Sequence, residues 1–235
     1  MNRYSLRGPV WVALVSLALI VAWDASGLDL VAARWFGTPT GFPWRNNHAL
    51  VLWMHEVPRF ASWLLVLLLG LAVRWPVGFL RRLDRAGRVQ LALTVVCSVV
   101  AVSFIKTHSA TSCPWDLQAF GGVARHVSHW AWGADDGGPG RCFPAGHASA
   151  AFAYLGGWFA IRRVSPQRAW RWLAVALVIG VVLGLGQQMR GAHYMSHTLW
   201  TAWICWSVGL VLDFITSAVR DRRSALRIET KLNRS

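Results

Sequence analysis

VQLALTVVCSVVAVSFIKTHSATSCPWD, residues 89–116, opens with an uncharged apolar run from Val89 to Ile105, stops at Lys106 and passes into Cys113-Pro114-Trp115-Asp116. Such a run must satisfy its own backbone hydrogen bonds while its side chains sit in an apolar medium. A helix of about 20 residues does both across the roughly 30 Å hydrocarbon core of a bilayer. Five further runs of this kind follow the same reading: Pro9 to Ala25, Pro58 to Trp75, His147 to Ile161, Trp170 to Gln188 and His197 to Val219. The 235 residues are 55% hydrophobic and only 14% charged, too apolar for an ordinary soluble domain. The pattern predicts an all-α polytopic membrane protein, a six-transmembrane-helix bundle forming one integral domain over residues 1–235, with no repeat and no low-complexity segment. Arg3 and Arg7 precede the first run as in a signal peptide. Trp23-Asp24-Ala25-Ser26-Gly27 is a poor small-residue cleavage site, however, so the run reads as a retained helix.

The formal net charge of +14 would suit a nucleic-acid binder, but its placement argues otherwise. The N-terminal tail, the Arg74–Arg88 and Arg162–Arg171 loops and the tail after Val219 hold 17 of the 24 Lys and Arg residues, all on one side of a six-span chain. The positive-inside rule makes that side, and both termini, cytoplasmic. The predicted location is the inner membrane of a bacterium, with the membrane as partner, no nucleic acid and no obligate protein partner. Among the 16 tryptophans, Trp44, Trp53, Trp75, Trp130, Trp132, Trp170, Trp172 and Trp200 fall near span ends, where an aromatic belt is expected.

Three segments then face the opposite, periplasmic side. Ser26 to Val57 includes a stretch, Ala49 to Met54, too short to span and expected along the interface. His108 to Gly146 carries the turn-rich Asp135-Asp136-Gly137-Gly138-Pro139-Gly140, and Gly191 to Ser196 is a short connection. The polar motifs collect on this side: Lys106 with Cys113-Pro114, then Phe143-Pro144-Ala145-Gly146-His147, then Arg190-Gly191-Ala192-His193-Tyr194-Met195-Ser196-His197. Histidine is suited to nucleophilic and acid–base work near neutral pH. Histidines beside fixed cations, in a chain built for lipid, point to phosphate chemistry at a membrane surface.

In order and spacing these motifs resemble the type 2 phosphatidic acid phosphatase (PAP2) superfamily, whose pattern is Lys-x6-Arg-Pro, Pro-Ser-Gly-His and Ser-Arg-x5-His-x3-Asp. The resemblance covers about residues 90–215. Lys106 to Pro114 has the family spacing, Gly146-His147 matches the second motif, and His193 falls at the nucleophile. Four positions depart: Cys113 stands for Arg, Ala145 for Ser, Gly186-Gln187 for Ser-Arg, and His197 for Asp. The resemblance implies a lipid phosphate or pyrophosphate as substrate, no metal and no cofactor. It makes His193 the nucleophile that forms a phosphohistidine and His147 the acid that protonates the leaving group and then activates water. Lys106 is a point charge for phosphate, Arg190 can bond two phosphate oxygens, Arg141 supplies a further cation, and Gly146 offers backbone N–H groups at a helix start. His197 can accept a hydrogen bond but brings no negative charge, so Asp116 or Glu56 is expected to orient the nucleophile.

Cys113 and Cys142 share the long outward loop and form either a disulfide across it or two free thiols; Cys97 and Cys205 lie mid-span as packers. His108, His126 and His129 are expected to face solvent, and Asp213, near the cytoplasmic end of the last span, is expected to be structural. A transferase passing the phosphoryl group to a second lipid would use the same residues. A metal or haem centre on His147, His193 and His197 has the spacing for ligation, but Lys106 and Arg190 would repel a cation. A catalytically silent lipid-binding protein would have no need of a nucleophile together with an acid.

Overall fold

In the computed structural model, which describes residues 6–131 and 133–232, the chain is all-helical, with two isolated β-bridges and no strand among the described residues. Arg3, Trp132 and Arg234 lie outside the described residues, as do the side chains of Arg227 and Lys231. The helices are α1 Arg7–Ala25, α2 Leu28–Arg34, α3 His48–Val51, α4 Val57–Arg74, α5 Arg85–Thr107, α6 Ser149–Phe152, α7 Gly157–Ile161, α8 Pro166–Met189 and α9 Met195–Leu232.

Local chemistry sets the helix starts. Asp84 caps α5 by accepting from the Gly87 N–H at 2.9 Å, and Asn47 caps α3 by accepting from Leu50 N–H at 3.0 Å. Pro166 opens α8, where its missing N–H costs nothing. Along α5 the buried residues Gly87, Gln90, Leu91, Thr94, Val95, Ser98 and Val102 recur at helical spacing and form one inward stripe. Leu93, Val96, Val100 and Phe104 on the other face are exposed, the arrangement of a helix whose outer solvent is lipid.

Five helical stretches are long and apolar enough to cross a membrane: Arg7–Ala25, His48–Arg82, Arg85–Thr107, Pro166–Met189 and Met195–Leu226. The expected fourth span is not a long regular helix. Between Gly146 and Arg162 most amides bond the carbonyl three residues back, with short α-helical pieces at α6 and α7. This segment is buried by neighbouring helices along nearly its whole length. Irregular backbone at membrane depth is tolerated in such surroundings, and the close packing demands it here. A Cβ on Gly156 would lie 2.0 Å from Thr94 Cγ2, and one on Gly209 would lie 2.6 Å from Gly156 Cα.

The second span also differs from expectation. Ala49 to Met54 does not lie apart at the interface but runs on from α3 into α4 without a break, joined by a π-helical turn at Leu52–Glu56. Pro58 cannot donate to the helix ladder and its ring crowds the preceding turn. The wider turn just before it absorbs the conflict. Not every interfacial tryptophan is belt: the indoles of Trp130 and Trp200 donate to Asp24, and that of Trp172 to the Tyr154 carbonyl at 2.7 Å.

At the arginine-rich end, buried Asp213 pairs with Arg162 and Arg163 and accepts from Gln90 Nε2 at 2.8 Å, the structural role expected of it. The polar motifs gather at the opposite end, where α5 and α8 finish and α9 begins.

Candidate active site

Lys106 occupies the last turn of α5, and its stem lies 3.4 Å from where a Cβ on Gly146 would stand. The lysine stem therefore packs directly beside the residue that precedes His147. His193 sits in the connection between α8 and α9 and is 2% exposed. Its Nε2 is 3.3 Å from Nδ1 of His147. The Nδ1 of His193 lies toward Cys142, and a proton there leaves the lone pair on Nε2, the nitrogen nearest His147. Burial pushes the His193 pKa well below the ordinary histidine value, with Lys106 and His147 adding to the effect. Burial of this kind favours the neutral form of the ring.

The cysteines are bridged: Cys113 and Cys142 form a disulfide, with Cα atoms 5.1 Å apart. The bridge ties the loop after Lys106 to the strand of chain leading into His147. It also positions Cys142, whose carbonyl accepts from His197 Nδ1 at 3.1 Å and whose sulfur lies 3.6 Å from His193 Nδ1. Among the described residues, Cys113, Cys142 and His193 form the one cluster of potential metal donors within 4.8 Å, but the disulfide consumes both thiols.

Each departure from the family pattern has a structural counterpart. Cys113 enters the disulfide. Ala145 is fully buried, its N–H donating to the His197 carbonyl and its carbonyl accepting from Thr201 Oγ1. Gly186 admits the π turn, because a Cβ there would lie 2.8 Å from Met54 Cγ. Gln187 donates to the Met54 carbonyl at 2.8 Å and accepts from Arg190 Nη1 at 3.0 Å, so it orients the arginine that stands three residues on.

Not all the expected groups converge. Arg141 is exposed, with φ of 57°, and is not among the charges acting on His147. Those charges are His55, Lys106, Arg190 and Arg59. Asp116 bonds neither His193 nor His197; it neighbours Arg45 and Trp115, and burial raises its pKa. The orienting partner of His197 is a backbone carbonyl instead. His129 does not face solvent: its side chain is 8% exposed, its Nε2 lies 3.2 Å from Asp24 Oδ2, and it stacks on Phe143 with ring centres 4.2 Å apart.

Glu56, the other expected orienting carboxylate, pairs with His55 and not with His193 or His197, and the residues not flagged in the sequence are His55 and Arg59. His55 lies with its ring centre 4.4 Å from that of His147, and its Nδ1 is 2.6 Å from Glu56 Oε1. A signal was present: three ionisable groups, His55, Glu56 and Arg59, within five residues beside an apolar run are costly in a membrane and mark a site. Among the described residues, Lys106, Arg59 and Arg190 make no salt bridge with a carboxylate. A cluster of unneutralised cations around two histidines is a receptor for an anion rich in oxygen.

A family model described as the PAP2 superfamily matches residues 87–221. The chain belongs to the PAP2 superfamily. The matched region holds Lys106, His147, Arg190, His193 and His197, whereas His55, Glu56 and Arg59 precede it. Searches of curated proteins and of solved structures returned no match. PAP2 membership and the long apolar helices make this a membrane protein with phosphatase-type activity.

Proposed function

We propose that this PAP2 protein hydrolyses a lipid phosphate or pyrophosphate, without a metal, through a phosphohistidine on His193. The observation that carries the reading is the 3.3 Å approach of His193 Nε2 to His147 Nδ1 inside a ring of cations that lack carboxylate partners. A phosphate entering between the two rings separates them and is held by Lys106, Arg190 and Arg59. His193 Nε2 attacks phosphorus in line as His147 protonates the departing oxygen. Water, deprotonated by His147, then cleaves the phosphorus–nitrogen bond. A second lipid in place of water would make the same site a phosphotransferase.

The location of the site supports a lipid substrate. It lies at the ends of apolar helices, opposite the arginine-rich loops, which the positive-inside rule places in the cytoplasm. The site then opens to the periplasmic face of a bacterial inner membrane. The Gly146–Arg162 segment adds a sixth crossing, because bonds to the third carbonyl back stretch a chain to about 2.0 Å per residue, enough to cover roughly 30 Å.

The test is phosphate release by the detergent-purified protein from a panel of lipid monophosphates and diphosphates, with EDTA present. Release that survives EDTA and is lost in both His193→Ala and His147→Ala is expected. Release abolished by EDTA, or retained by His193→Ala, would overturn the reading.

A further inference from the structure

His55 touches the acid–base histidine yet has no part in the chemistry so far. Two rings contact His147 among the described residues: His193, which is 2% exposed, and His55, whose side chain is 26% exposed. Glu56, 37% exposed, holds His55 Nδ1 at 2.6 Å. A carboxylate in that position fixes the tautomer with the proton on Nδ1 and leaves Nε2 to exchange protons. The pair stands on the π-helical turn Leu52–Glu56, a geometry that concentrates at functional positions. The turn is fastened by the Gln187 side chain bonding the Met54 carbonyl.

From this arrangement we infer that His55, held by Glu56, relays protons between solvent and His147. The inference rests on the function proposed above, in which His147 acts first as acid. Besides His55, the charged groups acting on His147 are Lys106 from α5, Arg190 from the end of α8, and Arg59 on the helix that carries His55. Lys106, Arg190 and Arg59 repel a proton on His147. An arriving phosphate dianion removes the opposition, and His147 must then acquire a proton. The arginines hold their protons at neutral pH, and His193 is sealed from solvent. His55 is the partly exposed titratable ring in contact with His147.

The proton balance closes over one turnover. As substrate binds, an N–H bond of His55 breaks, one on His147 forms, and His55 is reprotonated by solvent. In the transfer step the His147 N–H breaks as the leaving oxygen's O–H forms, while the phosphorus–oxygen bond breaks and the phosphorus–Nε2 bond of His193 forms. In hydrolysis a water oxygen bonds phosphorus, the Nε2 electron pair returns to His193, and the water's proton goes to His147. On phosphate release that proton leaves through His55. No oxidant, reductant or further reactant is required.

The experiment uses the full chain in detergent, with steady-state rates of wild type and His55→Ala across a pH series and across added imidazole. The relay predicts a kcat at least ~10-fold lower in His55→Ala with KM within about twofold, and a saturable recovery of kcat as imidazole is added. Wild type shows no imidazole response, and Glu56→Gln shows a smaller loss of kcat with a displaced pH profile. A full-rate His55→Ala, or a slow one that no imidazole restores, overturns the relay. If the alanine variant does not fold, His55→Gln is read in the same way. Failure of the underlying reading is separable: it shows as activity retained in His193→Ala, whereas a dead His193→Ala beside a full-rate His55→Ala removes the relay alone.

Discussion

Removing the Cys113–Cys142 disulfide perturbs stability and chemistry together, and the structure sets the size of both effects. The bridge closes a loop between residues 29 apart in sequence. Loop-closure entropy for that length is worth about 3.5 kcal/mol at 25 °C. For a chain of this size, 1 kcal/mol displaces Tm by about 2–4 °C, so the double variant Cys113→Ala/Cys142→Ala should melt about 7–14 °C lower. The rate should fall further than the melting temperature implies. Cys142 holds His197 through its carbonyl and contacts His193 through its sulfur, and the bridge is what ties the Lys106 loop to the His147 loop. A displacement of about 1 Å in such a constellation can cost ~100-fold in turnover. The assay pairs thermal unfolding, followed by tryptophan fluorescence in detergent, with phosphate release at a temperature where the variant is folded. A double variant, verified by mass, with Tm within about 2 °C of wild type and an unchanged rate would refute the reasoning.

Other perturbations separate the remaining groups. Arg59→Gln should raise KM for an anionic substrate about 5–20-fold through loss of one charged contact, whereas exposed Arg141→Gln should leave KM within about twofold. Gly209→Ala forces a Cβ to within 2.6 Å of Gly156 Cα and should destabilise the fold by about 1–3 kcal/mol, read as a lower Tm; an unchanged Tm would mean the two segments separate freely. Burial keeps His193 neutral in the folded protein, while the unfolded chain binds a proton there below about pH 6.5. Folding stability contributed by this ring is therefore present above that pH and declines as pH falls below it. Between pH 7.5 and 5 the wild type should lose more stability than His193→Gln, and equal losses would contradict the assignment.

Much of this was legible in sequence because the lipid environment imposes simple rules. The Val89–Ile105 run ending at Lys106 announces a helix and places a cation at its end, and α5 does cover Arg85–Thr107. The pairing of His147 with His193 followed from motif order, and the structure brings their nitrogens to 3.3 Å. Asp116 and Arg141 were misplaced because proximity along the loop says nothing of direction: Asp116 turns toward Arg45, and Arg141 faces out at a positive φ. The His147–Ile161 run was read as an ordinary span because apolar composition does not distinguish a helix facing lipid from one enclosed by protein. The enclosing contacts, Thr94 and Gly209 against Gly156, allow it tighter turns.

Hydropathy, charge bias and motif spacing by themselves determined a helical membrane protein, the end of the bundle at which the polar motifs gather, and the two histidines that meet there. These are properties of single segments in a fixed solvent, and they need no knowledge of neighbours. Tertiary packing alone decided which groups complete the site. A π turn before Pro58 swings His55 onto His147, Gln187 turns Arg190, and a disulfide sets the Cys142 carbonyl against His197. Each of these contacts joins residues distant in the chain, and their reach of a few ångströms depends on how the helices abut.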